Sequence, residues 1–108
     1  MLHKKNRLAK DADIARTFAR GRGFFNSFFS LKVLSGPGNA RFAVVVSTKV
    51  FKSAVKRNRL KRLVREYLRK NLDKYKSGNY MLMAKPKISR LPEKDILPAL
   101  IDVCSRIR

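Results

Sequence analysis

The chain is poor in the side chains that protein catalysts rely on: one histidine, one cysteine, no tryptophan and seven acidic residues in 108. The single cysteine, Cys104, excludes an internal disulfide and suits a reducing cytoplasm, where the chain is expected to work. His3 lies in a basic opening stretch and reads as a solvated residue. The carboxylates are Asp11, Asp13, Glu66, Asp73, Glu93, Asp95 and Asp102, and four of them stand near expected helix starts, where capping or the helix dipole accounts for them. A nuclease made of protein alone needs clustered carboxylates to hold metal ions, or a His/Lys acid–base arrangement. Neither pattern occurs, nor does a metal-ligand spacing or a Gly-rich phosphate loop. Cys104 falls on an apolar helix face with no neighbour that would activate it, so it reads as a core thiol. No run is long enough to span a bilayer, and no charged-then-apolar leader is expected.

What the chain has is positive charge. Its 27 Lys and Arg against 7 Asp and Glu give +20, and self-repulsion of that size calls for a polyanionic partner. Nucleic acid is the leading candidate, because neutralised phosphates release counterions and drive binding. An anionic membrane is the poorer fit, since the basic segment has no Trp and its apolar stripe is needed for a core. The length suits one compact domain, 1–108. Lys4, Lys5, Arg7 and Lys10 suggest a flexible basic arm at about 1–10.

Nine Lys or Arg lie between Lys52 and Lys70, against the single acid Glu66. At 100° per residue, Leu60, Leu63, Val64, Tyr67 and Leu68 share one stripe, whereas Asn58, Lys61, Arg62, Arg65 and Arg69 gather on another. The first stripe wants a core. The second holds cationic and hydrogen-bonding heads about one helical turn apart. A solvated face would mix Glu with Lys for mutual support; here one acid interrupts the charge. Arg57 falls at the edge of the apolar stripe, turned toward the body.

Elsewhere Asp11 can cap a short helix ending before Gly21, with Ile14 and Phe18 on one face. Arg20 to Gly23 reads as a turn or loop. Strands are expected at Phe28 to Leu34, Arg41 to Ser47 and Tyr80 to Lys85, the first two separated by Gly36-Pro37-Gly38-Asn39. The basic helix runs from about Ser53 to Leu72. The last helix has two possible starts. Pro92 suits a first helical position but leaves Pro98 in the interior; the preferred reading makes Asp95 the cap. Leu97, Leu100, Ile101, Cys104 and Ile107 form its expected buried side. Phe18 and Phe29 are candidates for stacking unpaired bases, although a Phe on a helix or strand is more often core.

Ala54-Val55-Lys56-Arg57-Asn58-Arg59-Leu60-Lys61-Arg62-Leu63-Val64-Arg65 resembles the RNR signature of the bacterial ribonuclease P protein family. The surrounding order agrees: Asn6-Arg7-Leu8 before a short helix, two strands ending in Ser47-Thr48-Lys49, then the signature helix, a strand like Tyr80-Met81-Leu82-Met83-Ala84-Lys85 and a closing helix. The resemblance implies an α/β fold, a small two-layer α-β sandwich like ribosomal protein S5 domain 2. In it the basic helix makes a left-handed βαβ crossover, a hand that spacing alone would not suggest. It implies a subunit without catalytic residues of its own, in an enzyme whose RNA holds the active site and its Mg²⁺ and hydrolyses precursor tRNA to leave the mature 5′ end. Contacts to the catalytic RNA are carried over to Arg57, Asn58, Arg59, Lys61, Arg62, Arg65 and Arg69. Contacts to the single-stranded 5′ leader are carried over to Ile14, Phe18, Phe29, Lys49, Ala54, Arg57 and Asn58. The chain departs from the family where Ile14 replaces a frequent Phe, Lys32 stands at a strand position that can be aromatic, and Thr48 replaces a common lysine. A structural ribosomal or other stable-RNA-binding protein is the alternative. A helix-turn-helix DNA reader fits poorly, because the basic helix follows an apolar strand.

Overall fold

The computed structural model describes residues 2–107. In chain order it comprises α1 (Asp11–Arg20), β1 (Arg22–Phe25), β2 (Phe29–Ser35), β3 (Ala40–Val45), α2 (Ala54–Lys70), β4 (Gly78–Ala84) and α3 (Glu93–Ser105), with short 3₁₀ turns at Lys4–Asn6, Leu72–Lys74 and Pro86–Arg90. The strands form one mixed sheet in the order β1-β2-β4-β3. β1 and β4 run antiparallel to β2, whereas β3 runs parallel to β4 and reaches it through α2.

Strand alternation sends side chains to two unlike faces. Phe29, Leu31, Phe42, Tyr80 and Leu82 meet Leu60, Val64 and Leu68 of α2 and Leu100 and Val103 of α3 in the main core. The Phe42 and Tyr80 rings stack at 4.9 Å, and Tyr75 meets Phe42 edge-on at 5.2 Å. On the other face Leu8, Ala43 and Met81 form a smaller cluster, with Ile14 of α1 and Met83 packed against it. Helix α1 docks tightly at its end: a Cβ on Gly21 would lie 2.5 Å from the Thr17 carbonyl oxygen and 3.2 Å from the Val33 backbone.

Five expectations are corrected. The opening residues are a docked strap, not a free arm (Met1 lies outside the described residues). Leu2 belongs to the main core and Leu8 to the smaller one. Asn6 Nδ2 donates to the Ala40 carbonyl at 2.8 Å, and Leu8 N–H donates to that of Phe42 at 2.8 Å. The strap thereby pairs along the outer edge of β3, which would otherwise offer unpaired backbone groups.

Arg20 to Gly23, expected as a turn or loop, instead runs into a strand, Arg22–Phe25, because β2 supplies a full antiparallel partner from Ser30 to Val33. Lys10 takes the cap position of α1, so Asp11 and Asp13 act through the helix dipole in its first turn. Helix α3 starts at Glu93 with Pro92 at its cap, and Pro98 sits inside it. The carbonyl of Lys94 loses a donor there, but Lys94 and Pro98 are both exposed, so water can serve it. Burial of Ile96, Ala99, Leu100, Val103 and Cys104 holds the helix in place. The buried side is thus rotated from the expected one, and Leu97 and Ile101 remain exposed.

Candidate nucleic-acid interface

Helix α2 begins where Ser53 Oγ accepts the Lys56 N–H at 3.3 Å, a side-chain cap on an orphan donor. Leu60, Val64 and Leu68 are buried, with Leu63 and Tyr67 packed beside them. That burial fixes the rotation of the helix and leaves Asn58, Arg62 and Arg69 exposed, with Lys61 and Arg65 half-exposed. Among the described residues of this helix, Arg57, Arg59 and Arg69 have protein partners. Arg57 Nη1 donates to the carbonyls of Phe51 and Lys52, both at 2.9 Å, so its head turns back onto the loop before the helix. Arg59 pairs with Glu93 of α3 at 3.0 Å. Arg69 Nε lies 3.2 Å from both Glu66 carboxylate oxygens. That hydrogen-bonded guanidinium holds the Glu66 carboxyl down at about 2.

The second sheet face carries an open trough. Strand register puts Gly23, Lys32, Met81 and Ala43 side by side in one row across the sheet, and Phe25, Ser30, Met83 and Val45 in the next. Helix α1 lies over the first row: Ile14 packs with Ala43 and Met81, and Lys32 Nζ stands 5.7 Å from the Phe18 ring centroid. An ion pair between Asp13 and Arg41, at 3.7 Å, helps tie the helix to β3. The second row is uncovered. Across four strands it spans about 14 Å, ending at Val45. From there residues 46–53, including exposed Lys49, lead into exposed Ala54 at the start of α2.

The expected site residues therefore divide. Phe18 is 53% exposed on the trough wall. Ile14, on the sheet-facing side of α1, is half-buried, while Lys49, Ala54 and Asn58 are exposed near the start of α2. Phe29 is corrected: at 1% exposure it lies in the main core, on the opposite face from Phe18, and offers no ring to a ligand. Alternation from Phe29 instead brings Ser30 and Lys32 to the trough. Sequence reasoning missed Ser30, Met83, Val45, Phe25 and Lys85. The pairing of Met83 with both Ser30 and Val45 emerges only with the strand register.

Among the described residues no three His, Cys, Asp or Glu side chains are grouped to hold a metal ion. Burial pushes the Cys104 thiol up from its ordinary range, away from the thiolate that reacts. No helix among the described residues is long and apolar enough to cross a membrane.

Fold and surface together define a small basic α/β protein, with a cationic helix flank and an open aromatic trough suited to a polyanion. The family model described as Ribonuclease P matches residues 2–108. The chain is 36% identical over 106 residues to the ribonuclease P protein component of Clostridium botulinum (strain 657 / Type Ba4), covering 95% of each chain. It is 36% identical over 94 residues to that of Pseudanabaena sp. (strain PCC 6903), covering 85% of this chain and 81% of the relative. The Staphylococcus aureus RNase P protein structure has the same fold, with a TM-score of 0.88 at 24% identity and 94% of each chain covered. The chain belongs to the ribonuclease P protein family: it is the protein component of an RNA-based, tRNA-processing endoribonuclease and associates with the ribonuclease P RNA.

Proposed function

We propose that this protein binds the catalytic RNA through the outer flank of α2 and holds the single-stranded 5′ leader of precursor tRNA in the trough beside α1. The observation that carries this reading is an exposed aromatic, Phe18, beside a cation, Lys32, on a sheet face that leads into the start of the basic helix. Unpaired bases stack on aromatic faces whatever their identity, and nearby cations neutralise their phosphates. Ile14, Phe18, Lys49 and Ala54 serve the leader, Arg57 and Asn58 stand where the two RNAs meet, and Arg59, Lys61, Arg62, Arg65 and Arg69 serve the catalytic RNA. In this reading the Mg²⁺ of the reaction is held mainly by the catalytic RNA and the substrate phosphates. The protein adds positive charge between two RNA strands and binds leader-bearing substrate more tightly than leaderless product. It acts in the cytoplasm.

The test compares the affinity of precursor and mature tRNA for the cognate catalytic RNA, with and without this protein. A preference for precursor that requires the protein supports the reading; equal affinities remove the leader role. Arg62→Ala and Arg65→Ala should each weaken assembly and reduce the slope of log affinity against log salt by about 1. An unchanged slope would take them out of the interface.

A further inference from the structure

The trough extends beyond α1 to a feature that the leader reading above does not use. Phe25, the last residue of β1, is 66% exposed, more than Phe18. Lys85 Nζ stands 4.8 Å from its ring centroid. Register fixes its face: Phe25 lies opposite Ser30, in the uncovered row that continues through Met83 to Val45. Its neighbour Phe24 points the other way and packs against the main core, so β1 has an anchor without Phe25. The backbone that carries Phe25 is pinned. Asn26 Oδ1 accepts the N–H groups of Phe28 and Phe29 at 2.9 and 2.8 Å, and its Nδ2 donates to the Ala99 carbonyl at 2.9 Å and to Asp102 at 3.0 Å. An exposed ring, backed by a cation and held on ordered backbone, repeats the pairing of Phe18 with Lys32 at the opposite end of the row from α2.

We propose that Phe25 and Lys85 form a further stacking position for an unpaired nucleotide, filled by a 5′ leader base that has already passed Phe18. The ring takes the base and the ammonium takes its phosphate, a combination that tolerates any sequence. This rests on the leader reading given above and adds to it a dependence on leader length.

The experiment measures binding of precursor tRNAs with graded leader lengths to the reconstituted complex. Phe25→Ala should weaken the longest leaders about fivefold or more, leave leaders too short to reach β1 unchanged, and keep the wild-type urea midpoint. Phe25→Tyr should retain affinity, and Lys85→Gln should reduce the salt slope for long leaders only. A loss equal at all lengths, or one seen in binding the catalytic RNA alone, overturns the proposal, as does no loss at any length. If wild-type protein shows no dependence on the leader at all, the underlying reading fails and takes this proposal with it.

Discussion

Arg57 ties down the fold at a position proposed to meet the RNA. Its guanidinium bridges the Phe51 and Lys52 carbonyls, closing the loop that delivers the chain to α2. Arg57→Ala should lower unfolding free energy by about 1–2 kcal/mol, read as a lower urea midpoint, together with weaker leader binding. Arg57→Lys should recover only part, because the lysine ammonium ends one atom short of Nη1, the single nitrogen that donates to both carbonyls. Unchanged stability in the alanine variant would mean that the bridge is idle. Glu93 makes the opposite case. Its pair with Arg59 is exposed at both ends, so its worth to stability is small, yet it places a carboxylate beside an arginine assigned to the RNA. Glu93→Gln should strengthen binding of the catalytic RNA by about two- to fivefold at low salt, with the gain fading as salt rises. Weaker binding would instead mean that Glu93 positions Arg59 for contact.

At the scale of elements, α2 was legible because local and tertiary signals agree: Ser53 caps it, and Leu60, Leu63, Val64, Tyr67 and Leu68 repeat at helical spacing onto one core. Arg22-Gly23-Phe24-Phe25 was not legible as a strand, since its basic and glycine residues read as a turn and its order comes from pairing with β2. Asn26 is what joins that hairpin to α3, and it bears on acid stability. Its amide, followed by the charge of Arg106, holds the Asp102 carboxyl below the ordinary carboxylate range. A carboxyl lowered in the folded state stabilises the protein above its unfolded value and loses that contribution as pH falls through the folded one. Asp102→Asn should therefore flatten the fall in stability below about pH 4, measured as urea midpoint against pH. Asn26→Ala should do the same and also cost about 2 kcal/mol at neutral pH, having removed a four-bond hub. A pH profile identical to wild type in both variants would exclude this clamp.

At the scale of the whole molecule, two sheet faces with different jobs explain where sequence reasoning stopped. Phe29-Ser30-Leu31-Lys32-Val33 alternates apolar with polar, so the core side of Phe29 was there to be read; which helices cover that side, α2 and α3, and that Lys32 stands beside Phe18 on the other, come only with the fold. The charge, by contrast, is legible in full and sets a response that no local contact would. At +20 the isolated protein repels itself, so added KCl should screen that repulsion and raise its melting temperature by about 5 °C between 0.05 and 0.5 M, a gain of about 1 kcal/mol. The same salt should loosen the RNA complex by orders of magnitude, because several phosphate contacts each return a counterion. Stability and binding thus move in opposite directions along one axis, and paired measurements of melting and RNA affinity across a KCl series follow both. A melting temperature that stays flat or falls would show that self-repulsion costs the isolated fold little, leaving the salt dependence of RNA association to rest on counterion release alone.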